Sequence, residues 1–88
     1  MANHKSALKR AHQSEKKRIR NKVVKTKVKN IIKKVRIAVS ENVSDSALIN
    51  LNAAKSVIDT AARKGVIHNR TAARKISRIT KLANTITN

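Results

Sequence analysis

The sequence lacks several residue types on which common protein functions depend. Its 88 residues include no cysteine, no proline, no aromatic residue and a single glycine. Without cysteine there is no disulfide framework, no thiolate metal site and no thiol nucleophile. Tight turns need proline and glycine, so a turn-rich β fold is disfavoured. The absence of aromatic residues excludes the base-stacking platforms that many single-strand binders use.

Acidic residues are also scarce, because four carboxylates stand against 22 lysines and arginines and leave a net charge of +18. The four acids are Glu15, Glu41, Asp45 and Asp59. So few carboxylates, widely spaced, leave little for acid–base catalysis. His4, His12 and His68 are far apart and match no metal-binding motif. We therefore expect neither an enzyme nor a cofactor or metal site.

The length suits one small domain, residues 1–88, with a modest core. Burial depends on 22 valines, isoleucines and leucines and 12 alanines. A chain of this size buries only a little over about 60% of its unfolded surface, and the net charge opposes compaction. We expect marginal stability and a polyanionic partner that relieves the repulsion. No apolar run approaches the length of a membrane span or a signal peptide, which favours a cytoplasmic protein.

Charge divides the chain into three parts. Residues 1–40 carry 14 basic residues and one acid, residues 41–62 carry one lysine and three acids, and residues 63–88 carry seven basic residues and no acid. The net charges of the three parts are therefore +13, −2 and +7, which sum to the total of +18. Two basic regions thus flank a slightly acidic middle.

Apolar spacing predicts three helices. The first, about residues 6–40, contains no glycine or proline, and its second half carries an apolar stripe at positions 24, 28, 31, 35 and 39. Its first half has little to bury, so it should project from the domain or lie along the partner. Residues 40–46 are rich in capping residues and predict a loop.

The second helix, about residues 46–64, has a stripe formed by Leu48, Leu51, Ala54 or Lys55, Ile58 and Ala61. Gly65 follows two basic residues and is the expected stop. The third helix spans about 69–86, starts at an N-cap provided by His68 or Asn69, and buries positions 72, 76, 79, 83 and 86. Short connections favour antiparallel neighbours. The predicted fold is all-α, a three-helix bundle with an overlong, basic first helix.

The basic residues of the first helix are the strongest functional signal. Solvated helices usually mix charges of both signs, because like charges three or four residues apart destabilise a helix. Here only Glu15 is available to pair, which favours a nucleic acid or another polyanion. Glu15 should pair with a neighbouring lysine or arginine, and Asp59 with Arg63. The start of the third helix, with its free backbone N–H groups and basic residues, is a second candidate phosphate site.

Three kinds of polyanionic partner remain open at this point, namely DNA, an anionic membrane and folded RNA. A DNA-compacting protein would share the charge, and the turn at Gly65 could belong to a helix-turn-helix whose third helix reads bases through Asn69, Arg70 and Arg74. A basic amphipathic helix could also lie on an anionic membrane, although such helices usually carry apolar anchors that this one lacks. Folded RNA suits the composition best, because shape and phosphate recognition need no aromatics.

Both ends of the chain resemble a known family. Residues 1–10 (MANHKSALKR), 14–18 (SEKKR) and 64–79 (KGVIHNRTAARKISRI) resemble the signatures of the bacterial small-subunit ribosomal protein S20 family. The resemblance implies a cytoplasmic three-helix protein of the small ribosomal subunit. It also implies direct binding to 16S ribosomal RNA early in assembly, bridging the 5′ domain and the penultimate stem near the 3′ end. We expect few or no protein neighbours, no membrane and no homo-oligomer.

The resemblance also implies which residues contact RNA. By motif these are Lys5, Ser6, Lys9, Arg10, Lys16, Lys17, Arg18, Arg20, Asn21, His68, Asn69, Arg74, Lys75 and Arg78. The charge pattern adds Lys25, Lys29 and Arg70. Since residues 2–22 bury too little surface to offset the entropy of ordering them, we expect this segment to be partly disordered without RNA.

Overall fold

Three helices account for most of the chain. A computed structural model describes residues 2–87, with side chains from Lys5 onward, so the expectations about Met1 and His4 lie outside what it describes. Helix α1 is Ala2–Ser40, α2 is Ser44–Arg63 and α3 is Asn69–Thr87, with no strand among residues 2–87. Each helix contacts the other two. The predicted all-α three-helix fold with an overlong first helix is confirmed.

Four of the six helix bounds differ from the predicted ones, by one to four residues. Helix α1 begins at Ala2 rather than near residue 6, because nothing in the first turn interrupts a helix. Helix α2 begins two residues earlier than predicted, so the loop predicted over 40–46 is reduced to residues 41–43. At 39 residues, α1 is about 58 Å long, and it sets the 65 Å maximum dimension of the protein.

Both connections between helices are closed by a residue in the left-handed conformation. Gly65, with φ of 76°, donates its N–H to the carbonyl of Ala62, while the N–H of Val66 reaches the carbonyl of Ala61. This pair of bonds is the Schellman motif that ends α2, and it confirms the predicted stop. Asn42, with φ of 57°, occupies the equivalent position after α1. Sequence reasoning assigned residues 40–46 to a loop and did not foresee this role.

Replacing Gly65 with alanine should lower the free energy of unfolding by about 1–2 kcal/mol, the cost of a left-handed backbone for a residue with a Cβ. A Cβ at this position would meet no atom within 4 Å, so the cost comes from the backbone alone. Urea denaturation measures it. Gly65→Asn is the matched control, because asparagine tolerates this conformation better, and a loss equal to that of alanine would contradict the explanation.

The core lies between the second half of α1 and the other two helices. Its fully buried members are Val35, Ile58 and the alanines at 54, 61 and 83. The predicted stripe of α1 is confirmed, since positions 24, 28, 31, 35 and 39 are all buried or partly buried. Small alanines recur every seven residues along α2, which lets its neighbours approach closely.

One core prediction on α2 is wrong. Leu48 was placed in the buried stripe, but its side chain is 51% exposed, and Ala47 is buried in its place. The true stripe of 47, 51, 54, 58 and 61 follows the regular 4, 3, 4, 3 spacing of one helix face. Leucine is more apolar than alanine, but the position on the helix face decides which side chain is turned toward the core. Between the two alternatives offered for the next turn, Ala54 is buried and Lys55 is not.

The start of α2 is held by a tertiary contact rather than by a side-chain cap. Val43 is its N-cap residue and makes no capping hydrogen bond through its side chain. The hydroxyl of Ser44 instead donates to the carbonyl of Ile86 at 3.1 Å. This bond ties the first turn of α2 to the last turn of α3.

Candidate nucleic-acid interface

The first half of α1 projects beyond the bundle. Every side chain from Lys5 to Val23 is exposed, and we call this segment the arm. The arm contains the predicted RNA-contacting residues Lys5, Ser6, Lys9, Arg10, Lys16, Lys17, Arg18, Arg20 and Asn21. From Lys5 to Arg20 these residues extend about 22 Å along the helix axis. They are therefore available to a partner. The residues near the N-terminus of the arm lie too far along the helix to form one site with residues of the bundle.

The helical conformation of the arm receives little support from within the protein. It buries no side chain, and of its five charged pairs three or four residues apart, four (5/9, 16/20, 17/20 and 18/22) carry like charge. The predicted pairing of Glu15 with a neighbouring cation is confirmed, and this pair is the exception to the like-charge neighbours. The Glu15 carboxylate accepts two hydrogen bonds from Arg18, at 2.7 and 3.2 Å. These bonds raise the pKa of Arg18 above its ordinary value.

Amide hydrogen exchange of the free protein should show weak protection in residues 5–22 and strong protection around Ile58 and Ile79, which are buried. The reason is that the arm lacks tertiary packing, whereas the bundle exchanges only on cooperative opening. The same measurement on the RNA complex is the control, because bound phosphates should raise protection in the arm. Equal protection of arm and core in the free protein would refute the expected partial disorder.

A basic groove runs between α1 and α3. Lys25, Lys29 and Lys75, all predicted to contact RNA, line this groove together. Lys33 and Arg36 complete its basic wall, while its floor is formed by the apolar residues Val28, Ile32 and Ile67. The charges of two helices are thus brought to one concave surface. Such a surface suits a phosphodiester chain, because the cations converge on it from both sides.

A second groove lies between the arm and the connection from α2 to α3. The predicted residues Lys17, Arg20 and Asn21 line it together with Lys64 and Gly65. Lys64 was not among the predicted RNA contacts, although it directly precedes Gly65 in the segment that resembles the family signature. The groove joins the base of the arm to the connection that precedes α3.

The start of α3 settles which residue is its N-cap. The Nδ1 atom of His68 accepts a hydrogen bond from the backbone N–H of Arg70 at 3.1 Å, and the carbonyl of His68 accepts the first helical bond from Ala72. His68 is therefore the cap, and Asn69 is the first residue of the helix. In this arrangement Nδ1 is unprotonated, so Nε2 carries the ring hydrogen and is free to donate to a partner.

The outer face of α3 carries a row of arginines. Arg70, Arg74 and Arg78 recur every four residues, on the side opposite the buried residues Ala72 and Ile79, and all three are exposed. Lys75 lies between this row and α1. In contrast, residues 41–62, which make up most of α2, offer only Lys55 as a cation. The predicted pair of Asp59 and Arg63 is confirmed at 2.9 Å.

Sequence reasoning missed a regular row of cations along α1. We call this row the α3-side ridge, and it consists of Arg18, Lys22, Lys25, Lys29, Lys33 and Arg36. Its spacing of 4, 3, 4, 4 and 3 places it on one side of the helix. Taken together, the 14 basic residues of α1 surround the helix, but the spacing of this subset could have been recognised from the sequence.

Among the side chains that the structure describes, from residue 5 to residue 87, no cluster of three or more could hold a metal ion. None of the helices formed by residues 2–87 combines the length and apolar character needed to cross a membrane. Among residues 5–87, no charged side chain is buried, so the charges lie at the surface.

Comparison with known proteins finds a family model and several relatives that match most of the chain. The model of the family described as ribosomal protein S20 matches residues 2–84. The small ribosomal subunit protein bS20 of Syntrophobacter fumaroxidans is 52% identical over 86 residues, which cover 98% of this chain and 100% of that protein. The protein of the same name from Desulforapulum autotrophicum is 59% identical over 81 residues, or 92% of this chain and 96% of that one. The protein of that name from Nitratidesulfovibrio vulgaris strain DP4 is 55% identical over 86 residues, with 98% and 99% covered.

Proposed function

The chain belongs to the ribosomal protein S20 family and is a structural constituent of the small ribosomal subunit, and from this premise we propose that it binds 16S ribosomal RNA directly and bridges separate RNA helices. The RNA segments are the 5′ domain and the penultimate stem near the 3′ end. The role is non-catalytic. Fixing two RNA segments relative to each other early would assist assembly of the subunit.

The observation that carries this proposal is the presence of two basic surfaces with different directions. One is α1, with its arm and the α3-side ridge, and the other is the arginine row of α3. Because α1, α2 and α3 all pack on one core, the outward faces of α1 and α3 diverge. A single flat phosphate surface could not contact both at once. Two RNA helices, one on each surface, would neutralise both.

The bundle supplies the fixed angle between these surfaces. Its buried side chains couple α1 to α3 through α2, and the Ser44 to Ile86 bond adds a polar tie at one end. Phosphate neutralisation supplies most of the affinity, since each contact releases condensed counterions. Shape then selects the RNA, because only a partner whose two helices match the angle can use both surfaces. One copy suffices, and the net charge of +18 disfavours association with a second.

A co-capture experiment tests bridging. The 5′ domain RNA is immobilised, the penultimate stem is labelled and free, and the full-length protein is added in equal amount. We expect the stem to be retained only when protein is present. The double variant Arg74→Gln/Arg78→Gln should still bind one RNA but lose co-capture, whereas Lys55→Gln, on the cation-poor helix, should behave as the unchanged protein. Competition of the two RNAs for the protein, without co-capture, would contradict bridging.

A further inference from the structure

The side of α1 turned away from the core has an unexpected composition. With 100° per residue, one continuous line on that side passes through positions 8, 12, 15, 19, 23, 26, 30, 33 and 37. We call the line without Lys33 the outer strip, and its members are Leu8, His12, Glu15, Ile19, Val23, Thr26, Asn30 and Ile37. All eight are exposed, and Lys33 is the one lysine or arginine among the nine positions of the line, although residues 1–40 contain 14 of them.

Cations border the outer strip on both sides. On one side is the α3-side ridge, which includes Lys33. On the other side, toward α2 and the α2–α3 connection, a second row consists of Lys9, Lys16, Arg20, Lys27 and Lys34. The contacts of these rows fix their sides, since Lys29 and Lys75 share one groove while Lys34 shares another with Asn50 of α2. In cross-section, the outer strip therefore lies between two rows of cations, and its one charged member, Glu15, is paired with Arg18.

This pattern complements the groove of a nucleic-acid duplex, where two phosphodiester strands border a floor without phosphates. In A-form RNA the major groove is deep and narrow, while the minor groove is wide, shallow and lined by ribose 2′-hydroxyls. A helix about 10–12 Å across with side chains can lie along the wide groove only. We infer that α1 lies along the minor groove of an RNA duplex, with its two cation rows on opposite strands. The inference rests on the proposed function and names the form of RNA that α1 recognises.

The outer strip has the chemistry to face riboses. Ile19 and Val23 are about half exposed and would cover the apolar edges of sugars. The hydroxyl of Thr26 donates to the carbonyl of Lys22 at 2.9 Å, which leaves its oxygen free to accept from a 2′-hydroxyl. The carboxylate of Glu15 is paired with Arg18, so its negative charge is neutralised where the strip would lie between the two RNA strands.

An anionic membrane also attracts a helix with cations beside an apolar line, but the observations favour RNA. The outer strip carries four large apolar side chains along 30 residues, and three of its members are His12, Glu15 and Asn30. Helices that bind membrane surfaces present a broad apolar face with aromatic or leucine anchors. This line is one residue wide and has no aromatic side chain.

Directed cleavage of the RNA tests the orientation of α1. Because the chain has no cysteine, Asn30→Cys and Ala53→Cys each create a single attachment point for an iron–EDTA group. Asn30 lies on the outer strip, while Ala53 is exposed on the outer side of α2 and serves as the control. In the complex of full-length protein with 16S RNA, we expect the group at position 30 to cut both strands of one duplex across its minor groove, with a stagger toward the 3′ ends.

The group at position 53 should cut that duplex far less. If the Asn30→Cys protein binds 16S RNA but cuts only one strand, or cuts with the opposite stagger, the minor-groove inference is overturned while the proposed function stands. If the unchanged protein does not bind 16S RNA, both fail. Measuring binding and cleavage on the same samples separates these results.

Modified duplexes provide a second readout that needs no variant. A short RNA duplex and its 2′-O-methylated counterpart carry the same phosphates, but the methyl groups fill the minor groove. We expect the methylated duplex to bind at least about tenfold more weakly, and phosphatidylglycerol vesicles not to displace the RNA. Equal affinities for the two duplexes would overturn the inference, and displacement by vesicles would assign the outer strip to a membrane surface.

Discussion

Replacing Lys16, Lys17, Arg18 and Arg20 together by glutamine should weaken binding to 16S RNA by between roughly 10² and 10³ at about 0.15 M salt. Each phosphate contact contributes about 0.7–0.9 to the slope of log K against log salt, and four lost contacts therefore remove about three units of slope. All four side chains belong to the exposed arm, so the substitutions remove charge without removing core packing. Filter binding over a range of salt concentrations measures both the affinity and the slope.

The control for this variant is Lys55→Gln, which removes a cation from α2 and should change the slope by less than about half a unit. Urea unfolding should be unchanged in both variants, because none of the substituted side chains is among the buried core residues. A fourfold variant with the affinity and slope of the unchanged protein would show that the arm does not contact phosphates. The bundle and α3 would then have to carry the interaction alone.

The second large effect concerns the core. Ile58→Ala should lower the free energy of unfolding by about 2–5 kcal/mol, through lost burial and the cavity left behind. Ile58, on the second half of α2, is fully buried, and a small domain without aromatic residues has little stability to lose. We expect the free variant to be largely unfolded already at 25 °C, so that heating it produces no cooperative unfolding transition. Circular dichroism during thermal denaturation measures the loss.

The same substitution on the same helix offers a matched control. Ile49 is 68% exposed, so Ile49→Ala should change stability by less than about 0.5 kcal/mol. Adding 16S RNA should restore part of the transition of Ile58→Ala, because a ligand that binds only the folded state stabilises it. Equal destabilisation by the two substitutions would mean that α2 does not pack as described.

Much of the architecture is predictable from local patterns. The apolar stripe of α1 has the period of a helix, and Gly65 follows a basic last turn, so both could be placed without tertiary information. The pairs of Glu15 with Arg18 and of Asp59 with Arg63 follow from helical spacing alone. These features depend on residues within one turn of each other, where sequence spacing and distance are nearly equivalent.

Other features depend on how the helices meet. Whether Ala47 or Leu48 is buried is decided by which face of α2 meets the neighbouring helices, which hydrophobicity alone does not predict. Asn42 adopts its left-handed conformation because the chain must turn immediately into α2. Lys33 and Arg36 belong to the basic groove only because α3 places Lys75 beside them. The RNA-contacting role of each predicted residue stays a prediction, because it requires the partner.

The most direct test of specific RNA recognition is a competition experiment at two salt concentrations. Labelled 5′ domain of 16S RNA is bound by the full-length protein and challenged with excess transfer RNA or duplex DNA. Recognition by shape as well as charge predicts that the complex survives both competitors at the higher salt concentration. If every polyanion competes equally and all binding is lost together as salt rises, the protein binds as a nonspecific polycation, and specific recognition is contradicted.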